Sequence, residues 1–297
     1  MNANSCETIG LVAGWGSFPV QLAQKIKAMG NTVVVAALKQ HADPCLAQIA
    51  DHVSWFGVCR VGGQLQYFQR HRVTKVALAG KLFKDRILYQ GLGWWAHSPD
   101  LTCFRALYSN FVSHRKETTD DIVLGTIVNL FIKRGIRVLS VDELAPELLA
   151  EEGCLTRTKP TDREMRDVEF GWRAAKKLGQ LDIGQSVTVR DRTILGAEAV
   201  EGTDGLIERT GVLCPRGGFT LVKVAKPQQD MRFDVPTIGR RTVENFARAG
   251  GRVIAIEAHK TIVVERQQTF ELANRNGISI VAISNVAMVE HPTSRAA

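Results

Sequence analysis

The sequence predicts an α/β protein with a Rossmann-like, parallel-sheet N-terminal domain and a second, mixed α/β domain after it. Three observations predict this. Short β-branched apolar runs alternate with segments of helical period through the first half, as parallel strands with crossover helices require. Several of those runs close on glycine, which marks the end of a strand. In the second half, hairpin patterns are mixed into the same alternation.

"ETIGLVAG" reads as a buried strand ending in glycine, and "SFPVQLAQKIKAMG" as a helix with Ser17 as N-cap, Pro19 in the first turn and Gly30 as its stop. "NTVVVAAL" and "HVSWF" are the next strands, and "GGQLQYFQRHRV" the helix after them. "TKVALAG" is a strand, "TTDDIVLGTIVNLFIKRG" a long amphipathic helix, and "IRVLSV" a strand. Between about Val141 and Thr161 the pattern weakens into a short helix and a polar, proline-containing linker. This places the domains at 1–157, including the linker, and 158–297. "DREMRDVEFGWRAAKKLG" opens the second domain as a helix. "QSVTVRDRTILGAEA" follows as a hairpin turning at Asp191 and Arg192, and "GFTLVKVA" as a strand. "IGRRTVENFARAGG" is a helix, "RVIAIEAHKTIVVE" a pair of strands, and "RQQTFELANRNG" and "ISIVAIS" a last helix and strand.

With 297 residues, 45% of them hydrophobic, the chain can fill the cores of one large or two ordinary domains. Charged residues make up 23% without a long run of one sign, which excludes global disorder. A net charge of +8 suits a polyanionic partner: nucleic acid, a membrane face or a phosphorylated substrate. The aromatic residues form no stripe interleaved with basic ones, so nucleic acid is not the expected partner. The six cysteines include no CxxC pair, which argues against structural zinc and against a disulfide framework. No signal peptide and no apolar stretch of about 18 residues is seen, so a cytoplasmic protein is expected.

Five motifs carry candidate chemistry. In "GLVAGWGSFP", Gly14 and Gly16 lie between a strand and a helix, where backbone can approach an anion at a helix N-terminus. Pro19 stands where the dinucleotide fingerprint requires its third glycine, which weakens a nicotinamide reading. Gly80 and Lys81 follow another strand and would share that rim. Asp120 and Asp121 open a helix, where they complement its dipole or touch a metal or ribose. In "EAVEGTDGLIER", Gly202 permits a sharp turn and Thr203 or Asp204 would cap a short helix.

The densest cluster is "LVKVAKPQQDMRFDVPTIG". Lys223 and Lys226 can meet phosphate as point charges, and Arg232 can clamp it with parallel N–H bonds. Asp230, Arg232 and Asp234 would share one face of an extended segment, with Thr237 capping the helix beyond. Bases that hold phosphates beside acids that hold a divalent metal or steer water are the groups needed to cut a phosphoanhydride. A surface salt-bridge loop is the structural alternative, but exposed pairs contribute only about 0–1 kcal/mol each.

"GLVAGWGSFP", "DIGQSVTVRDRTILGAEAVEGTDGLIER" and "LVKVAKPQQDMRFDVPTIG", in this order, resemble the UDP-2,3-diacylglucosamine pyrophosphatase family of lipid A biosynthesis. The resemblance is to the branch named for the letter I, not the metallophosphoesterase branch, and runs from about Ile9 to Ile283. It implies Mg²⁺-dependent hydrolysis of UDP-2,3-diacylglucosamine to UMP and 2,3-diacylglucosamine 1-phosphate, with water directed at the β-phosphate. It implies a homodimer whose two domains hold the lipid between them, working on the cytoplasmic face of the inner membrane. The essential aspartate of the family's R-x-D-x-P block falls on Asp234, with Asp234 and Asp230 as metal ligands. Substrate contacts are implied for Gly14, Gly16, Gly80, Lys81 and Asp121 in the first half. In the second half they are implied for Thr188, Glu201, Gly202, Thr203, Asp204, Lys223, Lys226, Gln229, Arg232 and Thr237. Two segments depart from the family. The R-G-D-D run is Glu117, Thr118, Thr119, Asp120, Asp121 here, and "ILYQGLGWWAHSPDLTCF" carries adjacent Trp94 and Trp95 that suit acyl chains, a membrane surface or a buried loop. A non-catalytic nucleotide- or lipid-binding regulator and a nicotinamide oxidoreductase are the rival readings.

Overall fold

The computed structural model describes residues 6–82, 98–106 and 120–284, without the side chains of 120–122. Trp94, Trp95 and the Glu117–Thr119 run lie outside the described residues. The chain forms two compact units, Met1–Glu147 with Gln229–Val235, and Leu148–Gln228 with Pro236–Ala297. The division at 147–148 falls ten residues before the expected boundary at 157, because the weakly patterned stretch is itself structured. It holds the helix Val141–Leu144, a 3-10 turn at Pro146–Leu148 and the strand Gly153–Cys154, which pairs with the last strand of the second unit.

The first unit is a five-stranded parallel sheet in the order β3-β2-β1-β4-β5. Its strands are β1 (Thr8–Ala13), β2 (Thr32–Leu38), β3 (His52–Phe56), β4 (Lys75–Ala79) and β5 (Arg137–Leu139). Leu11, Val34, Val35 and Val76 are fully buried, as strands covered on both faces must be. Helices α1 (Ser17–Ala28), α2 (Leu46–Ile49), α3 (Val61–Arg70) and α4 (Asp120–Lys133) connect the strands, and residues 101–106 are also helical. Phe68 of α3 and Phe131 of α4 are both fully buried, their rings 6.0 Å apart between centroids. Each such side chain contributes about 1.5–3 kcal/mol of apolar burial. The strand order reverses between β1 and β4. In open α/β sheets the crevice at such a switch point is where ligands bind.

The second unit is a six-stranded mixed sheet in the order β6-β13-β11-β9-β7-β8. Here β6 is Gly153–Cys154, β7 Ser186–Arg190, β8 Thr193–Ala197, β9 Thr220–Lys223, β11 Val253–Glu257 and β13 Ser279–Ile283. Two short strands, β10 (Thr237–Ile238) and β12 (Ile262–Val263), pair separately. "RVIAIEAHKTIVVE" thus holds the two strands expected, β11 and β12, which lie in different sheets. After α5 (Val141–Leu144), the helices are α6 (Asp162–Gln180), α7 (Gly202–Leu213), α8 (Arg240–Arg248) and α9 (Arg266–Arg275). Thr161 caps α6 in a capping box: its hydroxyl accepts from the Glu164 amide at 3.3 Å, and the Glu164 carboxylate accepts from the Thr161 amide at 2.7 Å.

The hairpin β7–β8 turns at Asp191 and Arg192, both left-handed at φ 54° and 56°, which matches a two-residue primed turn. Buried Asp167 of α6 accepts from both turn amides, at 3.0 and 2.6 Å. That supplies order which non-glycine residues in this turn do not provide themselves.

Three expected helix caps are placed differently. Gly16, not Ser17, is the N-cap of α1, and Ser17 is already helical. Glu201 precedes α7, so Thr203 and Asp204 lie inside a helix longer than expected. Gly239 precedes α8, while Thr237 lies in β10, where its neighbour Ile238 is buried.

Candidate functional site

At the switch point of the first unit, the chain just beyond β1 and β4 is joined by backbone hydrogen bonds. The Gly14 amide donates to the Ala79 carbonyl at 2.7 Å. Trp15 and Lys81 exchange both their bonds, at 3.0 and 2.9 Å. This close approach explains two of the glycines. A Cβ on Gly14 would lie 3.0 Å from the Lys81 carbonyl oxygen, and one on Gly80 only 2.7 Å from the Gly14 carbonyl carbon. Gly80 also has φ +97°, a conformation that favours glycine. Gly16 differs: its φ is +108°, no atom of the described residues lies within 4 Å of its Cβ position, and as the N-cap of α1 it has no side chain with which to cap the helix. The first amides of α1, a 12-residue helix, have no intrahelical acceptor and lie beside an uncrowded glycine. Gly14, Gly16, Gly80 and Lys81 share one rim, as expected, though backbone packing accounts for Gly14 and Gly80. Asp121 is the second residue of α4 and its side chain lies outside the described set.

Asp230, Arg232 and Asp234 do not sit on an extended face. Residues 231–233 form a turn in which the Asp230 carbonyl accepts from the Phe233 and Asp234 amides, at 3.2 and 3.3 Å. The Asp230 carboxylate accepts from the Arg232 amide at 3.0 Å. It also accepts from the Arg232 guanidinium, from Nε at 2.9 Å and from Nη2 at 2.6 Å. That guanidinium holds the Asp230 carboxyl below its ordinary range, and Asp230 in turn raises Arg232. An aspartate that bonds forward to the next residues but one favours a turn over a strand. The Gln229 side-chain amide donates to the Asp234 carbonyl and closes the loop. The sequence places this cluster in the second domain, yet Gln229–Val235 belongs to the first compact unit. The physical reason is Phe233, which is partly buried and packs against the first unit's hydrophobic core.

The second unit holds the remaining candidates. Lys223 is 7% exposed, and its Nζ donates to the Thr203 hydroxyl at 2.8 Å. Thr203 donates to Glu198 Oε1 at 2.9 Å and lies 3.4 Å from the Ser186 hydroxyl. Glu198 Oε2 is buried and has no hydrogen-bond partner among the described residues. These groups gather at the N-terminal end of α7, where Gly202 has φ +73°. Thr188 is wholly buried, its hydroxyl 2.8 Å from that of Thr210. Glu201 accepts from Arg209 at 2.7 Å, and Asp204 pairs with Arg241 at 3.3 Å.

Lys226 is buried in an ion pair with Asp182, and Gln228 donates to the Gly179 carbonyl at 2.8 Å, both at the C-terminal end of α6. Just before them, buried Glu257 accepts from the Ala225 amide at 2.8 Å and from Lys176 at 2.6 Å. The chain is thus fastened where it leaves the second unit. Glu198, Asp182 and Glu257 carry no sequence signal, because a single acid in an ordinary stretch does not announce a buried partner.

Residues 8–148 match the LpxI N-terminal domain family and residues 151–281 the LpxI C-terminal domain family. Over 284 residues the chain is 31% identical to the UDP-2,3-diacylglucosamine pyrophosphatase LpxI of Caulobacter vibrioides, a match that covers 93% of this chain and 97% of that protein. With both domains matched in order and nearly the whole length aligned, the chain belongs to the LpxI family.

Proposed function

We propose that the protein hydrolyses the pyrophosphate bond of UDP-2,3-diacylglucosamine to UMP and 2,3-diacylglucosamine 1-phosphate. The observation that carries this reading is the near full-length similarity to the Caulobacter vibrioides pyrophosphatase, which includes the block from Arg232 to Pro236. The geometry supports it. Arg232 is held by Asp230 with its guanidinium oriented, an arrangement suited to gripping a phosphate oxygen. Asp234, two residues on, supplies the carboxylate that positions water toward the β-phosphate and takes up its proton as UMP leaves. The amides at the start of α1 offer a second place for phosphate oxygens.

Mg²⁺ fits this donor set. Among the described residues no group of three or more His, Cys, Asp and Glu converges, as a dedicated protein cage would require. Mg²⁺ commonly takes only one or two carboxylates, with water and substrate phosphates completing the shell. Asp234 would hold it, Asp230 would join only by giving up bonds from Arg232, and when bound the ion would neutralise charge on the diphosphate oxygens. The chain acts as a homodimer at the cytoplasmic face of the inner membrane, where an acylated substrate resides. Its charge of +8 supports attraction to anionic lipid, and no helix among the described residues is long and apolar enough to cross a membrane. Light scattering tests the dimer. Turnover in ¹⁸O-labelled water tests the chemistry: label in the sugar 1-phosphate supports attack at the β-phosphate, and label in UMP opposes it.

A further inference from the structure

All six cysteines are free thiols, but two of them are not isolated. Cys59 lies between β3 and α3, and Cys103 lies in the helical residues 101–106. Buried Cys103 belongs to the hydrophobic cluster that includes Val61 and Leu65, and partly buried Cys59 packs against the same cluster. Backbone contacts fix this approach through Asp100. Its amide donates to the Cys59 carbonyl at 3.2 Å. Its two carboxylate oxygens accept from the Cys103 amide at 2.9 Å and the Gly63 amide at 3.0 Å. One acid therefore caps two helix starts and brings the cysteine-bearing segments together. Cys59 is partly exposed and Cys103 is 2% exposed.

We propose that Cys59 and Cys103 form a reversible redox pair that closes to a disulfide on reaction with a hydroperoxide. The division of labour follows from their surroundings. Cys59 is the one a peroxide can reach, and its neighbour Cys103 lowers its thiol, which favours the thiolate there. Cys59, with burial, pushes Cys103 up. The Cys59 thiolate attacks a peroxide oxygen. The O–O bond breaks, the leaving oxygen departs as water after protonation, and Cys59 becomes a sulfenic acid. The Cys103 sulfur then attacks the Cys59 sulfur. The S–S bond forms, the S–O bond breaks, and hydroxide leaves with the Cys103 proton as water. Two thiols have lost two electrons and two protons, and one hydrogen peroxide has become two waters. A thiol reductant reverses the change by exchange. Arg60, Thr102 and Phe104, the chain neighbours of the pair, line a concavity of about 740 Å³ in the first unit, so the disulfide would clamp two sides of its wall.

The test is peptide mapping under non-reducing conditions after brief treatment of the whole protein with hydrogen peroxide. Trypsin releases Cys59 in the peptide 40–60, which also contains Cys45, and Cys103 in 87–105. The expected result is a linked 40–60/87–105 pair in the unaltered chain and in Cys45→Ser. It should fall at least tenfold in Cys59→Ser and disappear with dithiothreitol. Because the unaltered chain and Cys45→Ser carry the positive result, poor folding of a core variant does not decide the test. Oxidation of Cys59 to sulfinic acid without the linked pair would overturn the proposal. So would a link that is lost in Cys45→Ser and kept in Cys59→Ser.

Discussion

At Asp230 and Asp234 two carboxylates close in sequence have different surroundings. The Asp230 carboxylate is taken up by Arg232, while Asp234 is joined to the loop through its backbone carbonyl, which accepts from Gln229. Asp234→Ala thus removes the carboxylate and leaves that bond. Turnover should fall about 10²-fold or more, with the cooperative melt retained; steady-state rates on the purified variant check this. Asp230→Asn has a pH signature. A carboxyl held below its ordinary 3.8 contributes stability above that pH, and this is lost as pH falls through the lowered folded value. Urea unfolding should show Asp230→Asn less stable than the parent at pH 7, with the gap closing below about pH 4. A gap that widens in acid would contradict the pairing. At this scale the sequence showed which charges cluster but not their partners. The alternation of Asp230, Arg232 and Asp234 reads as a strand face, but the bonds from the Arg232 amide to the Asp230 side chain and from the Phe233 and Asp234 amides to the Asp230 carbonyl make it a turn. Lys226 reads as a phosphate ligand because Asp182, its partner in space, lies far away in the chain.

Among the elements, the strand ends and the hairpin make the sharpest claims. Gly80→Ala puts a Cβ against the Gly14 backbone at φ +97°, and should cost about 1–3 kcal/mol of stability. Gly16→Ala meets no neighbouring atom among the described residues, so it carries the strain of its φ of +108° without a clash. Thermal melts of the two variants should therefore rank Gly80→Ala as the more damaging. Asp167→Ala frees two turn amides at Asp191 and Arg192, and should destabilise by about 2 kcal/mol in urea titration. The elements themselves were largely legible, since β-branched runs and glycine stops carry their own period. Helix starts were less so. Ser17, Thr203 and Thr237 have the chemistry of caps, yet Gly16, Glu201 and Gly239 hold those positions. Cap preference decides a helix start only when nothing else fixes the backbone. Here the bonds between the ends of β1 and β4, and the pairing of β10 with β12, do so.

For the molecule as a whole, two α/β units were readable from the change between parallel alternation and hairpins. The excursion of Gln229–Val235 into the first unit was not. A single partly buried aromatic, Phe233, packs that loop onto the first unit's core, and no periodic pattern foretells one residue. The net charge makes a claim at the same scale. Sedimentation with anionic vesicles should show binding at low salt that is released at high salt, since surface attraction is screened within about 10 Å at 0.1 M. Binding that resists high salt would point to insertion instead. The most direct measurement is product analysis of the purified protein with UDP-2,3-diacylglucosamine and Mg²⁺. The result predicted is release of UMP and 2,3-diacylglucosamine 1-phosphate in equal amounts, lost on chelation and in Asp234→Ala. Recovery of intact substrate across a range of divalent ions, or release of UDP and the free sugar, would contradict it.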